Sequence, residues 1–306
     1  MTHGHEPVSL LKFTATVVDI LLMFAVPIYI RGWFLERNNF PTQFSIYKLA
    51  SFLLGILSAW IAIGFPVEPL VHLSLTFHMV QHLLLMAIAP PLILFGAPAL
   101  PLLCGLPQEI ANCIVIPFLK WNVVKRILRL LTHPAFCWFG AAFALIFWHI
   151  PAVFELAMRS QWLHLLERIS FFGTGILFWW PVIQPFPSFA RWPRGMIPVY
   201  LFAATLPCDA LSAFLVFCDR VVYTSYLHAP RALNLSPLQD QDFAGALMWV
   251  TETIILMVPA VVITLKLLSP RTSHHDAFAV QNGDLWSRHT DDTPTVFFDT
   301  LPRLRR

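Results

Sequence analysis

His72-Leu-Ser-Leu-Thr-Phe-His-Met-Val-Gln-His-Leu-Leu-Leu-Met-Ala-Ile-Ala-Pro-Pro-Leu-Ile-Leu-Phe-Gly96 is the stretch whose reading decides the fold. Its 25 residues include no Asp, Glu, Lys or Arg. As a helix rising 1.5 Å per residue it is long enough to cross a hydrocarbon core of about 30 Å. Six further apolar runs have the same character. With this one they lie at about residues 11–31, 47–66, 72–96, 134–151, 164–184, 196–218 and 243–268. The expected fold is therefore all-α, a polytopic transmembrane bundle of about seven helices.

Composition agrees. Hydrophobic residues make up 57% of the 306 and charged residues 12%, and the mean hydropathy is +0.67. A soluble domain carries roughly a quarter charged residues; this chain needs lipid as solvent for much of its surface. A net charge of +3 gives no basis for nucleic-acid binding. The five cysteines form no CxxC pair and read as small apolar residues, with no disulfide framework.

Between the third and fourth runs, residues 97–133 are interrupted by prolines 98, 101, 107 and 117 and read as a loop with short interfacial pieces. Residues 120–131 alternate cationic and apolar positions at near-helical spacing, as a helix lying on an anionic membrane surface does. Residues 1–10 read as an outer tail, and 269–306 as a polar, disordered cytoplasmic tail. Lysines and arginines set the orientation. Arg31, Arg37, Lys48, Lys120, Lys125, Arg126, Arg129, Arg191, Arg194, Lys266 and Arg271 fall on one side, eleven in all, against four on the other, Lys12, Arg159, Arg220 and Arg231. The N-terminus is expected outside and the C-terminus in the cytoplasm. Phe147, Trp148, Trp179 and Trp180 suit aromatic belts, and Asp219, Arg220, Tyr223 and Tyr226 an interfacial anchor.

Polar groups in an apolar span are costly and mark function. His78 and His82 are four residues apart, on one face of a helix and about 6 Å apart along its axis. Two imidazoles so placed can share a metal ion. Met79 is adjacent to His78, and Met86 follows His82 by one turn. Imidazole with thioether favours copper, Cu(I) above all. His72 is expected at the helix mouth. His149 and His164 flank a short outer loop and can approach the pair; Met248 is a further candidate sulfur. The competing role for these histidines is an interhelical hydrogen-bond network. Asp19, Asp209 and Glu252 complete the intramembrane polar set, either pairing within the bundle or lining a proton or cation path. A haem- or quinone-linked redox protein is a further alternative, although axial haem ligands should come from facing helices.

The string His78-Met-Val-Gln-His-Leu-Leu-Leu-Met86, then Ala89-Pro-Pro91 and Gly96-Ala-Pro98, resembles the CtaG family of cytochrome c oxidase (caa3-type) assembly factors, multi-spanning type. So do Trp148-His-Ile-Pro151, Phe178-Trp-Trp-Pro181, Asp219-Arg-Val-Val-Tyr223, Leu235-Ser-Pro-Leu-Gln-Asp-Gln241 and Gly245-Ala-Leu-Met-Trp249. The similarity runs over about residues 15–268. It departs at Thr251-Glu252-Thr253, where the family has small residues, so no role for Glu252 carries over. The resemblance implies a non-enzymatic protein of the bacterial plasma membrane that helps make active oxidase, plausibly by aiding copper delivery. Its implied partners are oxidase subunits or other copper-handling proteins. An unrelated single-span copper chaperone shares the family's name, and this sequence does not resemble it.

Overall fold

The computed structural model describes residues 24–37, 44–64, 67–185, 192–230 and 234–269. Among these there is no strand. Asp19 and both expected tails, apart from Ser269, lie outside the described residues. The helices are α1 (residues 24–36), α2 (Ile46–Ile63), α3 (Val67–Val71), α4 (Leu75–Phe95), α5 (Ala99–Gly105), α6 (residues 108–120), α7 (Asn122–Leu131), α8 (Pro134–His149), α9 (Pro151–Arg159), α10 (Gln161–Ile183), α11 (Ile197–Phe217) and α12 (Pro237–Leu268).

Four of these are long and apolar enough to cross a membrane: α2, α4, α11 with the turn before it, and α12. A fifth arises if α7 and α8, bent by 62° at their junction, count as one broken span. Their outward faces carry Phe139, Phe143, Phe202, Leu206, Phe217, Val250, Ile254 and Leu265, each more than half exposed. So much apolar surface requires an apolar solvent. The protein is a helical membrane protein.

Residues 97–133 are a run of helices, not a loop. Pro98 precedes α5 and Pro107 precedes α6; each proline fills a place where no helical N–H is needed. Pro101 lies in the first turn of α5, and Pro117 inside α6 just after a π turn over Ala111–Val115. α7 buries none of its residues, and Trp121, Val123, Ile127 and Leu130 are exposed beside its cationic positions.

α4 does not stop at Pro90-Pro91. Pro90 has no N–H to give the carbonyl of Met86, and the helix widens to a π turn over Leu84–Ile88. The Met86 carbonyl instead accepts from the indole N–H of Trp179, at 3.2 Å. α10 comes that close because Gly175 faces the π turn; a methyl there would lie 2.9 Å from the same oxygen. Trp179 and Trp148 are thus buried core residues rather than belt residues.

The start of α4 is capped from another helix. The Asp240 carboxylate, in the first turn of α12, accepts from the backbone N–H of Leu75 (2.8 Å) and Thr76 (3.3 Å) and from the hydroxyls of Ser74 (2.7 Å) and Thr76 (2.6 Å). Gln241 accepts from the Val222 N–H and donates to the carbonyls of Leu215 and Arg220. The acidic group left over from one motif therefore fixes where α4 begins. That start is Leu75, so His72 sits in the turn before the helix.

Candidate metal centre

α4 presents His78 and His82 on one face, with rings perpendicular and centroids 4.4 Å apart. α10 brings Glu167 to them. Its Oε1 lies 3.4 Å from Nε2 of His78 and 3.3 Å from Nε2 of His82. One ligand atom from each residue lies within 4.8 Å of the others, and all three residues are buried. For metal bonds of about 2.0–2.1 Å, two ligands at the tetrahedral angle stand about 3.3–3.4 Å apart. Both His–Glu separations have that length.

Hydrogen bonding decides which ring nitrogens are free. Tyr226 has one hydroxyl proton, and its nearest acceptor is the carbonyl of Val71 at 2.9 Å. The same oxygen lies 3.1 Å from Nδ1 of His78. With that proton on Val71, Nδ1 is the donor; a neutral ring then turns an Nε2 lone pair toward the carboxylate oxygen, whereas a doubly protonated ring would donate to it. In the neutral form two acceptors face each other, and His82 adds a third group with no hydrogen-bond partner on either nitrogen. His78, His82 and Glu167 are the residues that could hold a cation here.

Charge leads to the same conclusion. Arg168 is the cation next in sequence to Glu167, but its Nη1 is held by Glu68 Oε2 at 2.6 Å. Gln81 donates to the same Glu68 oxygen at 2.8 Å. Glu68 Oε1 and Arg168 Nε are left without partners in that pair, as is Glu167 Oε2; among the described residues the groups that face Glu167 Oε1 are the two imidazoles, with no Lys or Arg.

The other histidines adjoin. His164 centres 5.6 Å from His78, and His72 5.7 Å from His164. His149 centres 5.6 Å from His82. Its Nδ1 donates to the Leu145 carbonyl (2.7 Å), and its Nε2 faces Met79 Sδ at 3.4 Å. Met79 is therefore at the cluster. Met86 is turned toward a different cavity of about 30 Å³, which Glu252, Trp138, Leu145 and Pro207 also line. Met248 packs in the apolar core around Met79 and Leu83. Asp209 lies beside Cys208 and Glu252, in the neighbourhood of that second cavity.

Tyr223 and Tyr226 are not interfacial anchors. They are 1% and 5% exposed, and Tyr223 donates to the His149 carbonyl at 3.0 Å. Burial raises both phenols above their ordinary value, so both act as neutral donors. Their turn is tied down by Glu155 on α9, which accepts from the backbone and hydroxyl of Ser225. Burial pushes the Glu155 carboxyl up, but these bonds and those from Thr224 outweigh it and hold the group below its usual range. Glu167, Arg168, Glu68 and Tyr226 were not read from sequence as site residues. The available signal was a Glu-Arg pair inside an apolar run, three residues after His164.

The family model for the cytochrome c oxidase caa3 assembly factor matches residues 27–269. Curated relatives are uncharacterized proteins. Those of Mycobacterium bovis and Mycobacterium tuberculosis are each 28% identical over 239 residues, 74% of this chain and 34% of theirs. One of Mycobacterium leprae is 22% identical over 303 residues, 93% of this chain and 41% of its own. The chain spans between a third and about two-fifths of the length of these relatives. No solved structure matches it.

Proposed function

This chain belongs to the cytochrome c oxidase caa3 assembly factor family, and we propose that it serves assembly by holding copper as cargo between His78, His82 and Glu167. The observation that carries this reading is the convergence of two imidazole nitrogens on one buried carboxylate oxygen, at 3.3 and 3.4 Å. Two nitrogens and one oxygen make an incomplete set. A fourth position left to an exchangeable ligand is what a donor of copper needs, since the ion must leave for an acceptor. His149 and Met79 adjoin the set on one side, and His164, with His72 beyond, on the other. The protein acts without catalysing a reaction. Its partners are the oxidase subunits or other proteins that handle copper.

The membrane is the bacterial plasma membrane, crossed seven times, with the N-terminus outside. In that orientation the turn holding His72 and the end of α8 at His149 lie toward the outer face, where a copper-accepting oxidase domain would stand. α10 counts as a span despite Glu167 and Arg168, because both are buried within the bundle rather than facing lipid.

The test is copper content of the purified protein, with and without His78→Ala/His82→Ala and Glu167→Gln. Copper in the wild type that is lost from the double variant, and reduced in Glu167→Gln, is the expected result. Equal copper in all three sinks the assignment. A path for copper or protons lined by Asp209 and Glu252 is the second reading, favoured by the cavity that Glu252 lines. Flux into liposomes that depends on Glu252 would decide for it.

A further inference from the structure

The five histidines at the site are arranged in single file. The ring centroids run from His72 to His164 at 5.7 Å, to His78 at 5.6 Å, to His82 at 4.4 Å and to His149 at 5.6 Å. Exposure falls at the first step: His72 is exposed, and the other four are at most 5% exposed. Resting on the copper reading above, we propose that this file is a conduit for Cu(I), with its mouth at His72 and a soft terminal station between His149 and Met79.

His164 is the first support. Its Nε2 is buried and has no hydrogen-bond partner. An unpaired buried polar atom carries a desolvation cost that a ligand would relieve. Placed between an exposed histidine and the buried set, that nitrogen is a stepping point. With neighbouring rings under 6 Å apart, an ion can bind the next imidazole before it leaves the last. It need not regain its water.

The terminal station is the second support. His149 commits Nδ1–H to the Leu145 carbonyl, so Nε2 carries a lone pair. Met79 Sδ has no proton to offer it, yet the two stand 3.4 Å apart. For metal bonds of about 2.0 Å to nitrogen and 2.3 Å to sulfur, the tetrahedral separation is about 3.5 Å. Among the described residues, this is where a sulfur faces one of the file's ring nitrogens, at the closed end. Ahead of it stand two nitrogens and a carboxylate, a set that divalent ions also accept. The donors thus soften along the file, and softness favours Cu(I) over divalent competitors at the last step. No redox change is involved; each step exchanges one ligand for another.

The experiment uses the full-length protein in detergent, under anaerobic conditions, with Cu(I) presented in a coloured chelator and its transfer followed by absorbance. Co(II) alone probes the nitrogen–oxygen set by its absorption. His72→Ala is expected to slow Cu(I) uptake by about tenfold or more, with the same final amount. Met79→Leu is expected to weaken Cu(I) retention by about tenfold or more, with the Co(II) spectrum retained. Uptake at wild-type speed in His72→Ala, or unchanged Cu(I) retention in a Met79→Leu protein that still binds Co(II), overturns the conduit. His72 is at the surface, so its arm reports even if the buried Met79 variant does not fold. Copper lost from His78→Ala/His82→Ala while the His72 and Met79 variants behave as wild type refutes the conduit alone. A wild type that takes up no copper refutes the copper reading as well.

Discussion

Tyr226 shows how much a single proton determines at this site. Its hydroxyl gives that proton to Val71 and can only accept from His78, which turns the other nitrogen of His78 toward Glu167. Tyr226→Phe removes that constraint and keeps the ring. The tautomer is then free to place N–H toward Glu167, where it satisfies the carboxylate without any metal. Partners of this kind are worth roughly 10–100-fold in metal affinity, and copper affinity should fall by that order while the helical signal stays unchanged. Competition with a chelator of known affinity measures it; unchanged affinity would show that the tautomer is set otherwise. The legibility of the site follows from the same chemistry. His78 and His82 were readable because four residues is a helical spacing. Glu167 was not, since its partners come from another helix and no spacing in α10 announces them. Tyr226 was misread because an aromatic next to a charged turn looks like a membrane anchor until its hydroxyl is seen to be buried.

At the level of elements, the position of α4 depends on α12. Asp240 takes the first N–H groups of α4, while Ser236 and Gln239 form the capping box of α12 itself. Asp240→Ala would leave two backbone N–H groups and the Ser74 hydroxyl without their acceptor, and the Thr76 hydroxyl with only the carbonyl of residue 240 at 3.3 Å. Each unsatisfied buried donor costs roughly 1–3 kcal/mol, so the loss should appear as a clear drop in thermal midpoint in detergent. The site should loosen with it, since His78 lies one turn inside the capped end. Glu167→Gln, by contrast, should lower copper content with little effect on the midpoint. A similar drop in both variants, or in neither, would contradict the separation of cap and site. The apolar runs were legible because composition alone marks a span. Residues 97–133 were not, because a proline before a short helix and a proline inside a loop look the same in one dimension. The π turn of α4 follows from Pro90, which removes a helical donor, but only Trp179 and Gly175 explain why the helix continues.

For the whole molecule, direction across the membrane is where charge and site can be tested against each other. Eleven lysines and arginines lie on the side assigned to the cytoplasm, against four opposite. The amphipathic α7 carries Lys125, Arg126 and Arg129 of that set and exposes Val123, Ile127 and Leu130. A helix of this kind belongs at an anionic leaflet. In the proposed orientation α7 and the end of α12 lie inside, and the α9 turn with Arg159 outside. The metal centre follows that turn, because Ser225, held by Glu155 of α9, is next in sequence to the tyrosine that orients His78. Two reporter fusions test this. Alkaline phosphatase joined after Ser160 should be active, since it folds only outside the cytoplasm. Green fluorescent protein joined after Ser269 should fluoresce, since it folds only inside when exported through the general pathway. The opposite pair of results would invert the molecule and put the histidine mouth in the cytoplasm. Copper would then have to be loaded from within, and an acceptor domain on the outer face could not be reached from His72.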